Sequence, residues 1–85
     1  MIWLSYEIIN RLEVEKFKSW LQKKQALECC SNCVFIKTLD SPEELQSELN
    51  NLKIFGNSIG DRLYVIFKKD GKYVGRFLYG KRLNQ

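Results

Sequence analysis

The stretch MIWLSYEI, residues 1–8, decides the fold, because its apolar residues recur at every second position. That period is typical of a β-strand with one buried face. The opposite face carries Ser5 and Glu7, but it also carries Trp3, which is unusual on a surface turned only to solvent. We therefore predict a strand that packs a core on one side and keeps a partly aromatic second face. The predicted core side consists of Ile2, Leu4, Tyr6 and Ile8.

A helix is predicted next, over residues 11–24 of the stretch NRLEVEKFKSWLQKK. Asn10 is available as the N-cap, and acidic residues near the start and lysines at the end suit the helix dipole. Trp20 lies beside the apolar stripe of this helix, so we expect it to be half-buried. The stripe, spaced by three and four residues, consists of Val14, Phe17 and Leu21.

A second helix is predicted within DSPEELQSELNNLKIFG, residues 40–56. Ser41 suits the N-cap, Pro42 stands at the first helical position, and Glu44 completes a capping box. Gly56 is the expected end of the helix. Its predicted buried stripe consists of Leu45, Leu49 and Leu52.

The remaining apolar runs predict strands joined by hairpins. ALECC and CVFIKTL indicate strands near residues 26–30 and over residues 33–39, around a tight turn at Ser31 and Asn32. DRLYVIFK is dense in β-branched and aromatic residues and predicts a central strand. KDGK then predicts a type I′ turn, and YVGRFLYG predicts the returning strand.

The predicted order is β-α-β-β-α-β with one further strand at the end. This order predicts a single α+β domain over residues 1–85, a ferredoxin-like sandwich with an extra C-terminal strand. Right-handed crossovers place both helices on one face of the antiparallel sheet. The other face is then bare and displays Trp3, Ser5, Glu7 and Phe35, so we expect it to bind a ligand or a second copy of the chain.

Three cysteines in five positions, Cys29, Cys30 and Cys33, allow three interpretations. Tetrahedral zinc needs four ligands and the chain has no histidine, so the sequence does not favour zinc. The Cys30-x-x-Cys33 spacing is that of a redox pair, but a strand rather than a helix is predicted after it. We favour a structural hairpin in which the thiols act as small apolar fillers.

Charge is distributed unevenly along the chain. Residues 1–61 hold seven Lys and Arg against nine Asp and Glu, a net −2, whereas residues 62–85 hold seven against one, a net +6. Such asymmetry predicts an anionic partner, either nucleic acid or an acidic protein, unless the cations only protect an edge hairpin. The predicted partner-binding cations are Arg62, Lys68, Lys69, Lys72, Arg76, Lys81 and Arg82.

Aromatic residues interleave with these cations at Tyr73, Phe77 and Tyr79. Facing outward they would stack on bases, but alternating aromatics on a strand are more often core, and we expect that of at least two. An odd number of cysteines without a secretory signal predicts a reducing compartment, with the cytoplasm as the default. The apolar start is too short to span a bilayer, so no membrane association is expected.

Several short pieces, taken in order, resemble one superfamily. WLSYEI ending in Tyr6-Glu7, SNCVFIKTLDSPEEL, and Asp61 before RLYVIF are similar to motifs of small ferredoxin-like nucleases. That group is typified by the CRISPR adaptation protein Cas-two and includes SinR-like and GhoS-like antitoxin relatives. The resemblance covers roughly residues 1–68.

The resemblance implies a homodimer formed by stacking bare sheet faces, with Trp3, Ser5 and Phe35 in the interface. It also implies that Glu7, where the family has aspartate, is the catalytic residue and ligand of Mg²⁺ or Mn²⁺ in an endonuclease, endoribonuclease-like. Glutamate keeps the charge and adds one methylene to the side chain.

Two classes of function therefore stand side by side. One is a dimeric nucleic-acid-associated protein with metal-dependent nuclease activity. The other is a non-catalytic inhibitor that binds a protein, such as a phage-encoded anti-defence protein, an antitoxin or an immunity protein. Whether the chain is an enzyme stays open at this point, since it has no histidine and no serine with an evident base. No small-molecule cofactor is expected.

Overall fold

The computed structural model describes residues 1–81 and contains two helices and five strands within them. Arg82, one of the predicted partner-binding cations, lies outside the described residues. In chain order the elements are β1 (Ile2–Glu7), α1 (Arg11–Lys23), β2 (Leu27–Cys30), β3 (Cys33–Ile36), α2 (Pro42–Leu52), β4 (Arg62–Lys69) and β5 (Lys72–Tyr79).

The five strands form one antiparallel sheet in the order β2-β3-β1-β4-β5. β1 lies at the centre and pairs with β3 on one side and with β4 on the other. The hairpin strand β5 extends the sheet beyond β4. This architecture confirms the predicted α+β class, ferredoxin-like with one extra C-terminal strand.

Both helices cover the same face of the sheet. Along β1, burial alternates residue by residue, so that Leu4 is buried while Ser5 is exposed. The ring of Tyr6 meets Phe17 of α1 edge to face at 4.7 Å, and Phe17 also contacts Phe55. Each aliphatic side chain buried in this layer contributes about 1.5–3 kcal/mol. The fully buried members are Ile2, Leu4, Phe17, Ile36, Leu39, Leu45, Leu49, Ile54, Leu63 and Val65.

The predicted helix starts are confirmed in atomic detail. The Asn10 side chain accepts hydrogen bonds from the backbone N–H groups of Leu12, at 2.9 Å, and Glu13. Ser41 Oγ accepts from the N–H of Glu44 at 3.1 Å, directly before Pro42. These caps satisfy donors that a helix cannot pair internally, and each is worth about 1 kcal/mol.

Three boundary and burial predictions were wrong. Trp20 is buried rather than half-buried, because it stacks on Phe17 at 5.7 Å and its Nε1 donates to Glu48 at 3.3 Å. α2 ends before Gly56, since Lys53 turns left-handed at φ 56° and the Asn57 amide donates to the Lys53 carbonyl at 2.7 Å.

The third concerns β3, which stops at Ile36 instead of continuing to residue 39. Its pairing partner β1 starts at Ile2, directly opposite Ile36, so later residues have no strand to pair with. The chain nevertheless stays close to the core, because Leu39 is buried and its carbonyl accepts from the terminal amino group of Met1.

Both predicted tight turns are present. Asp70 and Gly71 have φ values of 52° and 80°, which a type I′ turn requires at its two central residues. In the β2–β3 turn Asn32 takes a left-handed φ of 60°, which asparagine tolerates better than most residues.

Asp61 is a buried carboxylate whose role the sequence did not reveal. Only 4% of it is exposed, and its two oxygens accept from the backbone N–H of Ile9, at 2.9 Å, and of Ser58, at 3.2 Å. It thereby ties the β1–α1 connection to the loop that precedes β4.

We expect Asp61→Ala to lower the free energy of unfolding by about 1–3 kcal/mol, because two backbone donors lose their acceptor. Urea denaturation monitored by circular dichroism measures the change. Glu15→Ala, which removes an exposed carboxylate on α1, is the matched control and should change stability little. Equal stability of the two variants would contradict the role given to Asp61.

Candidate functional site

The face of the sheet turned away from the helices, hereafter the open face, carries one continuous line of apolar residues. Strand register aligns Leu27 with Phe35, Phe35 with Trp3, Trp3 with Ile66, and Ile66 with Gly75. Directly opposed residues of antiparallel strands project to the same side of the sheet. This apolar row, Leu27, Phe35, Trp3, Ile66 and Gly75, therefore crosses all five strands.

Three side chains of the apolar row are exposed to solvent by more than a third. Trp3 is 37% exposed, Ile66 38% and Leu27 54%. Phe35 is largely covered because the Trp3 ring lies against it, with centroids 4.4 Å apart. Contiguous exposed apolar groups of this kind are uncommon on proteins that function alone.

A second row crosses the open face two residues further along β1. Register places Cys30 opposite Cys33, Cys33 opposite Ser5, Ser5 opposite Tyr64, and Tyr64 opposite Phe77. The Tyr64 and Phe77 rings meet edge to face at 4.9 Å. This mixed row differs from the apolar row in carrying thiols, hydroxyls and aromatic rings.

Gly75 explains how the Tyr64 ring is accommodated. A Cβ atom at Gly75 would lie 2.1 Å from the Tyr64 hydroxyl oxygen and 2.7 Å from Cζ. The ring therefore lies directly over the glycine backbone of β5 and covers a position that has no side chain of its own.

A groove of about 480 Å³ opens at the end of the mixed row. Glu7 and Arg62 are register partners at this end of the sheet, and the Arg62 guanidinium donates to the Glu7 carboxylate. The predicted catalytic carboxylate is thus already paired with a cation. The groove is lined by Ser5, Tyr6, Glu7, Asn32, Arg62, Tyr64 and Phe77.

The predicted metal site at Glu7 depends on which other ligating side chains lie near it. Within residues 1–81, no three His, Cys, Asp or Glu side chains come close enough together to hold a metal ion. Hard divalent cations need several oxygen ligands, so Glu7 of one chain supplies only part of such a site. Metal binding at Glu7 stays a prediction.

The predicted partner-binding cations do not form one surface. Lys68, Lys69 and Lys72 cluster at the β4–β5 turn, while Arg62 and Lys81 lie at the opposite end of the hairpin. Arg76 faces the helix side, where it donates to Glu43 at 3.3 Å and lies 5.5 Å from the Phe67 ring centroid. Arg62 and Arg76 are therefore committed to ion pairs within the fold.

The three aromatic residues of β5 also separate. Tyr73 is 66% exposed on the open face beside Lys68, and Phe77 lies on that face against Tyr64. Leu63 pairs with Tyr79 while Tyr64 pairs with Phe77, so the register shifts and sends Tyr79 to the helix side. There it stacks on Phe55, and burial raises the pKa of its hydroxyl. Only Tyr79 packs against the core, so the expectation that at least two would do so was wrong.

Sequence reasoning missed several residues of the open face. It placed Trp3, Ser5 and Phe35 there correctly, but it did not assign Leu27, Tyr64, Ile66 or Asn32 to the site. The signal for Tyr64 and Ile66 was the alternation within RLYVIFKK, which is hidden because both faces of that strand are apolar.

Comparison with known proteins adds no assignment to this geometry. No family model, no curated protein and no solved structure matches the chain. Neither helix within residues 1–81 has the length and apolar character needed to cross a membrane.

Proposed function

We propose that the protein is a homodimeric nucleic-acid-associated protein whose two copies pack open face to open face. The observation that supports this most is the apolar row, whose side chains come from four adjacent strands and which ends at Gly75 of β5 under the Tyr64 ring. Aliphatic members such as Leu27 and Ile66 suit packing against protein better than stacking on bases. Membership of the nuclease-like superfamily and a reducing, cytoplasmic location are parts of the same proposal.

The size of the open face suits such a dimer. Five strands spaced about 4.8 Å apart, of four to eight residues with a mean of six, and rising about 3.4 Å per residue, present an area of about 24 by 20 Å. Two such faces hold about 1,000 Å² of projected area, close to the lower limit of stable interfaces. Pairing along the whole face, rather than at one patch, is then required for a lasting dimer.

The β4–β5 turn supplies the proposed contacts with phosphate. Within residues 1–81, no carboxylate lies within ion-pairing distance of Lys68, Lys69 or Lys72. All three are exposed, and Asp70 at the turn is the one acidic residue of the hairpin. Free lysines on a projecting hairpin can approach a phosphate backbone and release its counterions. These contacts supply affinity and carry little sequence information.

Dimerisation is tested by placing a charge on the apolar row. In sedimentation equilibrium we expect the wild-type protein to have twice the subunit mass. Trp3→Lys and Ile66→Lys should each be monomeric, because each substitution would bury an unpaired ammonium group in the interface. Leu12→Lys is the matched control, since Leu12 is 77% exposed on α1, on the other side of the molecule. A monomeric wild-type protein would exclude the proposed interface.

Nucleic-acid binding is tested by reversing three charges at the turn. The triple variant Lys68→Glu, Lys69→Glu, Lys72→Glu should bind a short oligonucleotide more weakly and lower the salt slope of log K by about two. Fluorescence anisotropy at several salt concentrations measures both quantities. The control changes Lys16, Lys18 and Lys23 of α1 to Glu, which alters net charge equally at exposed positions away from the hairpin.

If the wild-type protein binds neither single strands nor duplex at low salt, the nucleic-acid proposal fails. The β4–β5 turn, with Lys68, Lys69 and Lys72, would then be a docking surface for an acidic protein. That outcome would favour the second class of function, an inhibitor that binds a protein.

Nuclease activity, proposed only through the superfamily resemblance, depends on Glu7. Wild-type protein with Mg²⁺ or Mn²⁺ should cleave RNA or DNA, and Glu7→Gln should abolish cleavage with an unchanged circular dichroism spectrum, since a neutral amide is a far weaker ligand. Glu15→Gln on α1 is the control. Equal cleavage by wild type and Glu7→Gln would remove Glu7 from the reaction.

A further inference from the structure

The β2–β3 hairpin brings two thiols together at one position of the sheet. Cys30 and Cys33 are strand-register partners across the two-residue turn formed by Ser31 and Asn32. Opposed residues of antiparallel strands have Cα atoms about 4.5–5.5 Å apart. That spacing falls within the range of about 4.4–6.8 Å that a disulfide requires. The strand register therefore places the two Cα atoms at a separation that a disulfide can span.

The side chains of this pair project to the same side of the sheet, because Cys30 and Cys33 are directly opposed and both lie in the mixed row of the open face. Cys29 behaves differently, because the register shifts between Glu28 and Cys30 and leaves Cys29 without a strand partner. Its Sγ instead donates to the Leu27 carbonyl at 3.7 Å. The fold thus selects one pair out of the three possible cysteine pairs.

We propose that Cys30 and Cys33 form a reversible intramolecular disulfide by exchange with low-molecular-weight disulfides, which makes this hairpin a redox modification site. The inference rests on the hairpin geometry; because both thiols lie on the open face, the exchange takes place in chains whose open face is not covered by the proposed dimer. It differs from the structural-filler interpretation, because a filler needs neither an accessible thiol nor an opposed partner.

The different exposure of the two cysteines indicates which thiol reacts first with the small disulfide and which one closes the ring. Cys30 is exposed, so its thiolate attacks one sulfur of the small disulfide RSSR, forms the bond Cys30–S–S–R and releases RS⁻. Cys33 is half-buried; burial first, and then the neighbouring Cys30 thiol, raises the pKa of the Cys33 thiol, which suits a resolving rather than an attacking role. Cys33 then loses its proton, attacks the Cys30 sulfur and releases the second RS⁻. Two electrons and two protons pass from the dithiol to RSSR, which is reduced to two RSH.

The test uses the reduced full-length chain and excess glutathione disulfide, followed by intact-mass spectrometry. We expect the Cys30–Cys33 pair to lose two hydrogen atoms per chain, with at most one glutathione added at the exposed Cys29, and dithiothreitol to reverse both changes. All three cysteines fall in the single tryptic peptide from Gln25 to Lys37, so peptide mapping alone does not separate the pairs. Cys29→Ser is therefore the deciding variant, because it leaves only Cys30 and Cys33 to react.

Cys29→Ser should lose two hydrogen atoms and carry no glutathione, whereas the double variant Cys29→Ser, Cys33→Ser should retain one glutathione on Cys30. Circular dichroism of each variant checks that the fold is kept. Only glutathione adducts on Cys29→Ser, a disulfide between two chains, or no reaction would each overturn the proposal. In concentrated urea the proportion of ring-closed product should fall, since the strand register no longer holds the thiols opposite each other.

Discussion

The pairing of β1 on both of its edges is the constraint on which the rest of the molecule depends. Side chains of a strand alternate between faces, so a shift of one residue would exchange every inward and outward group. Such a shift would move Trp3 under the helices and turn Ile2 and Leu4 outward. Because β3 and β4 fix the same register from opposite sides, the core and the open face are specified together.

The strand register determines which side chains lie together on the open face. Five strands contribute one residue each to the apolar row and one each to the mixed row, although these residues come from separate parts of the sequence. Neither row could be found by scanning for a motif, since no two members of the apolar row are close neighbours in the chain. The open face is formed only when the strands assemble in their order, whereas the lysines of the β4–β5 turn are already close together in the sequence.

Local signals explain how much the sequence predicted. Asn10, Ser41 and the Asp70-Gly71 turn act within a few residues, and each was assigned correctly. The wrong predictions concern residues whose burial depends on elements distant in the sequence. Trp20, for example, is covered in part by the Glu48 side chain of α2. The register shift in β5 likewise sends Tyr79 inward against the simple period of two. At the site, alternation found Trp3 and Phe35, but the partners opposite them required the sheet order.

The irregular margins of the sheet limit how copies of this protein can associate. At one margin β2 has only four residues and a register shift, and at the other β5 has its own shift and begins with a lysine. Short, bulged and charged edges resist the addition of further strands. Lateral growth into fibrils by the addition of further strands is therefore disfavoured at both edges of the sheet.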